Sequence, residues 1–167
     1  FLNKTFSSNP TNGKICTVSF WFHLAPNSDS TNNLYPRFWS AGPSVNDRAD
    51  LNINDPSGDN TSAGMINFTQ AISGTGYTWS TQRTFVDMAT WYHLVLAYDS
   101  TEGNAADRVK LWINNELQTY DTTPTLPADS VIQFGKNGYN NDIGKSSHYS
   151  PRFFHGTMSH FYFIDES

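Results

Sequence analysis

Polar and apolar residues alternate along the stretch from Trp91 to Tyr120, which has the pattern of three successive β-strands joined by two turns. Every second residue of an extended chain points to the same side, so this alternation indicates strands with one buried face. The apolar side carries Tyr92, Leu94, Leu96 and Tyr98 in the first strand and Val109, Leu111 and Ile113 in the second. Asn114 and Asn115 follow, and because asparagine tolerates positive φ angles, this pair predicts a tight hairpin turn.

The same alternation predicts short strands along the rest of the chain. They cover residues 17–24, 37–41, 50–53, 65–69, 77–80, 131–134 and 157–164, with a brief edge strand at 142–144. Turn-forming residues predict a turn at 42–43 and loops at 26–33 and 55–64, while residues 85–89 predict the only helical turn. About ten or eleven strands with turns every 8 to 12 residues indicate an all-β fold, a two-sheet antiparallel β-sandwich with jelly-roll topology.

Length and composition favour one domain with an aromatic core. The 167 residues can bury one sizeable core but are too few for two comfortable domains, so residues 1–167 are predicted to form a single domain. Aromatic residues make up 15% of the chain and charged residues also 15%, against an average of roughly a quarter for charged residues. A wide sandwich filled with rings would use residues in this way.

Charge and cysteine content exclude several classes of function. The formal net charge of −5 and the absence of a basic cluster argue against a nucleic-acid partner, whose affinity would come from neutralising phosphates. No apolar run approaches the roughly 20 residues that cross a bilayer, so no membrane partner is expected. Cys16 is the only cysteine and leaves no intrachain disulfide. The chain starts at Phe1, which suggests a processed product or part of a longer protein.

Four segments carry a resemblance to a known family. They are TVSFWFHL, TWYHLVLAYDS, DRVKLWINNELQ and IGKSSHYSPRFFHGTMSHFYFIDES, in this order. Together they resemble the concanavalin A-like lectin/glucanase superfamily in its laminin G-like branch, and look closest to versions in virion proteins of tailed phages, notably marine ones. Asn115 stands where the family has a turn glycine, and Glu166 where it has a glycine after the final aspartate. The motifs are mostly core and turn residues, so they specify architecture more than activity.

Amides, a carboxylate, a histidine and two tyrosines gather in residues 137–149. Loops on a rigid scaffold often carry recognition, and stacking rings with amide hydrogen-bonders suit a sugar. The candidate carbohydrate-binding residues are Tyr139, Asn140, Asn141, Asp142 and His148, together with Trp112. A solvated turn is the alternative for this segment.

Three side chains fall on the outward side of their strands. Trp112 alternates with the apolar residues of its strand, and Trp21 and His23 alternate with those of residues 17–24. Exposed aromatic rings can stack on sugars or pack against another protein. Trp21 and His23 are therefore candidates for a second binding platform or an interface. Cover by a loop or a neighbouring subunit is the alternative for all three residues.

No cofactor is expected, although calcium remains an alternative. Asp99, Glu102, Asn104 and Asp107 could offer oxygen ligands, as in some laminin G-like domains, but a solvated loop is the simpler interpretation. The five histidines show no zinc-binding spacing. The superfamily includes glycoside hydrolases, yet the E-x-D-x-E type of strand that supplies their paired carboxylates is missing, so no catalytic residues are predicted.

The sequence and the resemblance together predict a non-enzymatic module at the surface of a virus particle. One hypothesis is a lectin-like adhesin in a tail fibre, spike or capsid appendage, with a host glycan as its partner. The other is a structural or capsid decoration module that packs against other virion subunits without binding sugar. A homo-oligomer is compatible with both hypotheses, and a polysaccharide-degrading enzyme is a third, weaker one.

Overall fold

Eleven β-strands make up the fold in the computed structural model, which describes residues 1–26, 35–56, 62–122, 124–150 and 152–165. The strands are β1 (Leu2–Thr5), β2 (Ile15–Leu24), β3 (Arg37–Ser44), β4 (Asp47–Ile53), β5 (Met65–Ile72), β6 (Thr75–Thr84), β7 (Trp91–Asp99), β8 (Val109–Ile113), β9 (Glu116–Leu117), β10 (Asn140–Ile143) and β11 (Gly156–Asp165). A short 3-10 turn, Ala105–Asp107, precedes β8. No helix in these segments is both long enough and apolar enough to cross a membrane.

The strands form two antiparallel sheets that pack face to face. The six-stranded sheet has the order β1-β10-β3-β4-β5-β6, and the five-stranded sheet has the order β11-β2-β7-β8-β9. Strands that are distant in sequence are neighbours in both sheets, since β10 lies between β1 and β3, and β11 lies beside β2. The predicted all-β, two-sheet antiparallel sandwich with jelly-roll topology is confirmed.

An aromatic core fills the space between the sheets. Phe20 and Phe22 of β2 and Leu94 and Leu96 of β7 are fully buried, and the facing sheet contributes rings including Trp39. The Trp39 ring stacks on Phe134 at 3.8 Å and 6° between ring planes. Aromatic side chains bury more apolar area than any others, which is why a chain of modest apolar content can fill a sandwich.

The predicted strand pattern is confirmed where one strand face packs on the core. Burial alternates residue by residue along β2, β7 and β8, with the predicted apolar residues inside. Asn114 and Asn115 have φ angles of 50° and 66°, the positive values that a tight hairpin turn needs. The turn pairs β8 with β9 and sets the register in which Ile113 faces Glu116.

Residues 42–43 are not a turn, contrary to the prediction. They lie inside β3, where the pairing with β4 shifts register between Ala41 and Ser44, and the chain reverses after Ser44. Gly42 has a φ angle of 139°, and a Cβ there would lie 2.3 Å from the Asp47 carbonyl oxygen. Gly42 therefore forms part of a β-bulge. Its φ angle and the closeness of the Asp47 backbone leave no room for a side chain.

Three other local predictions are wrong. Residues 131–134 form no strand, because the segment packs Ile132 into the core while its backbone bonds to a loop, Ile132 N–H donating to the Gly13 carbonyl. Residues 85–89 form no helical turn, because Asp87 accepts hydrogen bonds from the Ala89 N–H and the Thr90 hydroxyl.

Strand β10 is not an edge strand of its sheet, since the unpredicted β1 pairs with its outer side. The loops predicted at 26–33 and 55–64 fall largely outside the described residues, as does Glu166.

Candidate functional site

The outer face of the six-stranded sheet is polar across its whole width. Successive cross-strand partners from β1 to β6 are Asn3, Asp142, Ser40, Asp50, Thr69 and Thr78, and a second row holds Arg37, Asn52, Asn67 and Ser80. These residues alternate along their strands with core residues such as Ala49, Leu51 and Ile53 and so face away from the core. We call this surface the polar groove.

Part of the polar groove is covered by residues 145–150, the covering segment. Ser147 ties this segment down, because its N–H donates to the Ser40 hydroxyl at 3.0 Å and its hydroxyl donates to the Ser40 carbonyl at 2.8 Å. The Ser147 hydroxyl also lies 2.8 Å from Asp142 Oδ2. Ser40 and Asp142 are consequently buried although they lie on the outside of a sheet.

Asp50 is the centre of a buried charge cluster under the covering segment. The side chain is 1% exposed, and Arg48 Nε lies 2.8 Å from its Oδ2. Arg37 Nε lies 3.5 Å from Asp50 Oδ1, and Arg37 is itself 5% exposed. Burial lowers the pKa of the Arg37 guanidinium, and the Asp50 carboxylate opposes this shift. Two cations thus share one carboxylate in a place with little water.

Asp142 and His148, both predicted from the sequence, meet at this cluster. Asp142 accepts a hydrogen bond from Asn3 Nδ2 at 2.7 Å, its Oδ2 lies 2.8 Å from the Ser147 hydroxyl, and it pairs with Lys145 Nζ at 3.5 Å. Burial lowers the pKa of His148, while Asp50 raises it and Arg48 lowers it. His148 Nε2 is buried and has no hydrogen-bond partner within the described segments.

The open part of the polar groove is lined by amides, hydroxyls, two guanidinium groups and one ring. Its volume is about 320 Å³, and a separate cleft of about 390 Å³ lies beside the covering segment, next to Lys145 and Phe153. The side chains that line the open groove are Tyr35, Arg37, Asn52, Asn54, Asn67, Thr69, Thr78, Ser80 and Arg152. No carboxylate belongs to this set of described residues.

Hydrogen bonds between these side chains hold them in fixed orientations. The Ser80 hydroxyl donates to Asn67 Oδ1 at 2.6 Å, and Asn67 Nδ2 donates to Asn54 Oδ1 at 2.7 Å. The hydroxyls of Thr69 and Thr78 lie 2.9 Å apart. A ligand that replaces surface water here meets preorganised donors and acceptors, which lowers the entropy cost of binding.

The other predicted residues lie in different places. Asn140 is exposed at the start of β10, and the Lys136 ammonium lies 5.6 Å from the centre of the Tyr139 ring. Asn141 is buried and structural, because its Oδ1 accepts from the Gly135 N–H at 3.0 Å and its Nδ2 donates to the Tyr139 carbonyl at 3.2 Å. Residues 137–149 are therefore not one solvated loop, since they contain β10 and most of the covering segment.

Trp112, Trp21 and His23 lie on the opposite sheet from the polar groove. Trp112 is half-buried on the outer face of β8, beside Val95 and Leu117. The Trp21 ring stacks on His93 at 4.8 Å, and His23 packs against Trp91 at 5.4 Å. The structure does not bring Trp112 together with His148 and Asp142. We call the surface of Trp21, His23, Trp91, His93 and Trp112 the aromatic face.

The polar groove depends on residues that the sequence interpretation missed. Arg48, Asp50 and Asn52 alternate with Ala49, Leu51 and Ile53, a pattern that could have revealed a polar strand face. Arg152, by contrast, lies in a segment without periodicity. Its guanidinium stacks on the Tyr149 ring, 4.1 Å from the ring centre, and only the fold shows this contact.

The side chains of three candidate calcium ligands, Asp99, Asn104 and Asp107, are engaged in local turn contacts, whereas Glu102 takes part through its backbone carbonyl. Asp99 Oδ1 accepts from the Thr101 N–H and hydroxyl at 2.9 and 2.6 Å. Asn104 caps the 3-10 turn through the Ala106 N–H and donates to Asp107 Oδ2 at 3.1 Å, and the Glu102 carbonyl accepts from Arg108 Nε. Among the described residues, no three or more His, Cys, Asp or Glu side chains are grouped so that they could hold a metal ion.

Solved structures share the fold of this chain at low sequence identity. A candidate carbohydrate-binding protein from Bacteroides ovatus has a TM-score of 0.60 at 16% identity, with 100% of this chain and 43% of that chain covered. Domains LG4-5 of the mouse laminin alpha1 chain have a TM-score of 0.59 at 11% identity, covering 99% and 39%. The enzymatically active domain of tailspike protein 2 of bacteriophage CBA120 has a TM-score of 0.60 at 12% identity, covering 99% and 24%.

These similarities establish the fold. The chain shares the sandwich fold of laminin LG domains, in agreement with the predicted concanavalin A-like and laminin G-like fold, and it spans less than half the length of each of these three structures. No protein-family model matches the sequence, and no curated protein does. A shared fold at this level of identity leaves function to be argued from the site itself.

Proposed function

We propose that this domain is a non-enzymatic module that binds carbohydrate in the polar groove. The observation that carries the proposal is the fixed array of amides and hydroxyls from β4, β5 and β6, with the Tyr35 ring at its edge. Amides and hydroxyls both donate and accept, which matches the hydroxyl groups of a sugar, and a ring can stack on the apolar face of that sugar. The shared fold of the candidate carbohydrate-binding protein supports the proposal.

The chemistry of the polar groove supports binding rather than hydrolysis. Glycoside hydrolysis in this fold uses two carboxyl groups that flank the scissile bond. Asp50 and Asp142 are the carboxylates of this surface, and both are 1 to 2% exposed beneath the covering segment and in contact with cations. The described residues of the open groove offer a sugar hydrogen bonds, and none of them is a carboxylate that could act on a glycosidic oxygen.

A glycan array tests this proposal with two matched aromatic substitutions. We expect the wild-type protein to bind a subset of glycans, Tyr35→Ala to lower that affinity at least about tenfold, and Trp112→Ala on the aromatic face to leave it unchanged. Thermal unfolding checks that both variants remain folded. Loss of binding in Trp112→Ala alone would move the site to the aromatic face, and silence of the wild type across a broad array would contradict carbohydrate binding.

We further propose that the domain acts at the surface of a virus particle, with a host glycan as its ligand. The resemblance of four sequence segments to phage virion proteins supports this setting, and so does the fold shared with a phage tailspike domain. Mass spectrometry of purified particles should detect the chain, and a labelled antibody should bind to intact particles. Absence of the chain from particles would refute the setting without affecting the glycan site.

A second candidate function is packing against a neighbouring virion subunit, and the aromatic face favours it. Trp21 and Trp91 are 41% and 43% exposed, and Leu117 and Tyr162 at the borders of the same sheet are 54% and 55% exposed. Exposed apolar side chains concentrated on one sheet are typical of an interaction surface. Imaging of whole particles should then show Trp21 or Trp112 buried at a subunit contact, and full exposure of both would rule this function out.

A further inference from the structure

Arg152 has aromatic neighbours but no anionic partner in the described segments. Its guanidinium lies 4.1 Å from the centre of the Tyr149 ring and 5.2 Å from the centre of the Tyr35 ring. None of the ion pairs between described residues includes it. Arg152 lines both the open part of the polar groove and the cleft beside the covering segment. Contact with rings fixes the plane of a guanidinium and leaves its N–H groups available to a ligand.

A second arginine in the same place is short of hydrogen-bond acceptors. Arg37 is 95% buried, lines the groove with Arg152, and its Nε makes no hydrogen bond to a described residue. Its Nη1 donates to the Tyr35 carbonyl at 2.9 Å, and its nearest carboxylate, Asp50, is already bound by Arg48 at 2.8 Å. A buried guanidinium that shares its carboxylate with a second cation gains stability when a further anion arrives.

The balance of charge around the polar groove is positive, unlike that of the whole chain. The chain has a formal net charge of −5. In the described part of the groove, the four cations Arg37, Arg48, Lys145 and Arg152 face only the two carboxylates Asp50 and Asp142. A local excess of cations on an acidic protein attracts an anionic ligand and concentrates its field within the cleft.

We propose that the ligand of the polar groove is an acidic glycan whose carboxylate or sulfate group binds Arg152 and Arg37, while its hydroxyls contact the amides and hydroxyls of β5 and β6. This inference rests on the proposed carbohydrate binding and specifies the class of sugar. The planar guanidinium of Arg152 can bind two oxygens of one carboxylate or sulfate group, which a neutral sugar lacks. Tyr35 and Tyr149 hold that guanidinium ready before the ligand arrives.

Matched ligands with and without charge test the inference. A hexuronate oligosaccharide is compared with its carboxyl-reduced neutral counterpart, and a sulfated oligosaccharide with its desulfated form, by calorimetric titration of the whole chain. We expect the acidic member of at least one pair to bind about tenfold tighter or more, since hydrogen bonds to charged groups are the stronger ones. This difference should shrink at high salt, which screens charge. The preferred pair tells a carboxylate ligand from a sulfate ligand.

Variants that remove one positive charge separate Arg152 from general electrostatics. Arg152→Gln should remove most of the preference for the acidic ligand over its neutral counterpart, with Arg37 accounting for what remains. Arg152→Lys, which keeps the charge but lacks the planar fork, should give an intermediate affinity. Lys110→Gln, an equal change of charge on the other sheet, should have little effect. Melting temperatures establish that the variants are folded.

The possible failures are distinguishable from each other. Equal affinity of the wild type for the charged and neutral members of both pairs would overturn the acidic-glycan inference and leave carbohydrate binding intact. Unchanged affinity of Arg152→Gln for the acidic ligand would also overturn the inference, because the charge would then be recognised elsewhere. If no member of either pair and no glycan of a broad array binds, carbohydrate binding fails together with the inference.

Discussion

Asp50 shows at the residue scale how the polar groove is held together. Its carboxylate is 1% exposed and contacts Arg48 and Arg37, whose charges would otherwise be buried without an anion. Removal of one member of a buried ion pair costs far more than removal of an exposed one, because the partner charge remains out of water. Asp50 is therefore more important for folding than its position on an outer sheet face suggests.

Substitution of Asp50 should be strongly destabilising. We expect Asp50→Ala to lower the free energy of unfolding by about 3 to 5 kcal/mol. Glu116→Ala is the matched control, because Glu116 pairs with Arg83 while both side chains are more than half exposed, and this variant should lose less than about 1 kcal/mol. Urea denaturation measures both variants. Similar losses in the two would show that Asp50 is not a buried structural charge.

His148 predicts a dependence of stability on pH. Burial lowers its pKa below the ordinary value, so the folded protein takes up the proton at a lower pH than the unfolded chain does, which titrates at about 6.5. The stability contributed by neutral His148 is present above about pH 6.5 and is lost as the pH falls through the folded pKa. We expect the melting temperature to fall less between about pH 7.5 and about pH 5 in His148→Gln than in the wild type. Identical falls would show that His148 does not contribute.

Single residues were predictable from sequence only where their strand pattern placed them. Trp21, His23 and Trp112 face outward because their neighbours fill the core. Asn141 resembles a surface amide in sequence, yet it is buried and bonds the backbone of Gly135 and Tyr139. Side-chain hydrogen bonds across a loop leave no periodic signal, and so this role could not be inferred.

At the scale of elements, the Asn114–Asn115 turn sets the β8–β9 hairpin. Both residues have positive φ angles, which cost a residue with a Cβ about 1 to 2 kcal/mol unless its side chain bonds locally. Asn114 is held instead by a bond to the neighbouring strand β7, because its Oδ1 accepts from the His93 N–H at 2.8 Å. Asn114 is thus held by a hydrogen bond, whereas Asn115 relies on the tolerance of asparagine for positive φ angles.

Two substitutions of Asn115 test this account of the turn. Asn115→Gly should keep or slightly raise the stability, because glycine adopts φ of 66° without strain. Asn115→Val should lower the free energy of unfolding by about 1 to 2 kcal/mol, because a β-branched residue at positive φ is strained. Chemical denaturation of both variants provides the comparison, and a valine variant as stable as the glycine variant would contradict it.

Strands were predictable from sequence only where one of their faces packs on the core, because only then do polar and apolar residues alternate. Strand β1 is exposed at all four residues and exists because it pairs with β10, which lies far away in sequence. Residues 131–134 are the opposite case. Their sequence resembles a strand because Ile132 and Phe134 are buried, but the segment pairs with no strand among the described residues. Burial and strand pairing are separate causes of order, and periodicity reports only the first.

For the whole molecule, the polar groove and the aromatic face lie on opposite outer surfaces. Two sheets about 10 Å apart and the core between them separate the two surfaces. Residues so far apart, with no shared contacts, contribute independently to stability. If both proposed functions hold, the domain can engage a glycan and a neighbouring subunit at the same time.

Independence of the two surfaces is measurable with a double variant. We expect the effects of Tyr35→Ala and Trp21→Ser on the free energy of unfolding to add within about 0.5 kcal/mol. Glycan affinity should follow the change at Tyr35 alone. Calorimetric titration and denaturation of the wild type, both single variants and the double variant complete the cycle. A coupling above about 1 kcal/mol would show that the sheets transmit changes between the surfaces.

The overall architecture was accessible from sequence, whereas the groove was not. The two-sheet sandwich and its core-facing strands follow from the alternation and from the order of four segments. The polar groove requires β3, β4, β5 and β10 to be neighbours with the covering segment above them, and strand order is set by pairings that leave little local trace. The sequence therefore predicts the fold class but not which charged side chains meet in the polar groove.

The place of β10 between β1 and β3 has a consequence for how the chain reaches its native state. Residues 37–44 must wait for residues 140–143 before that side of the sheet can close, so the ribosome has produced most of the domain before the pairing is available. Closing such long loops is entropically slow, and sandwiches of this kind fold in milliseconds to seconds. In the interval β3 has an unsatisfied backbone edge, which is where chaperone binding or misassembly during synthesis would begin.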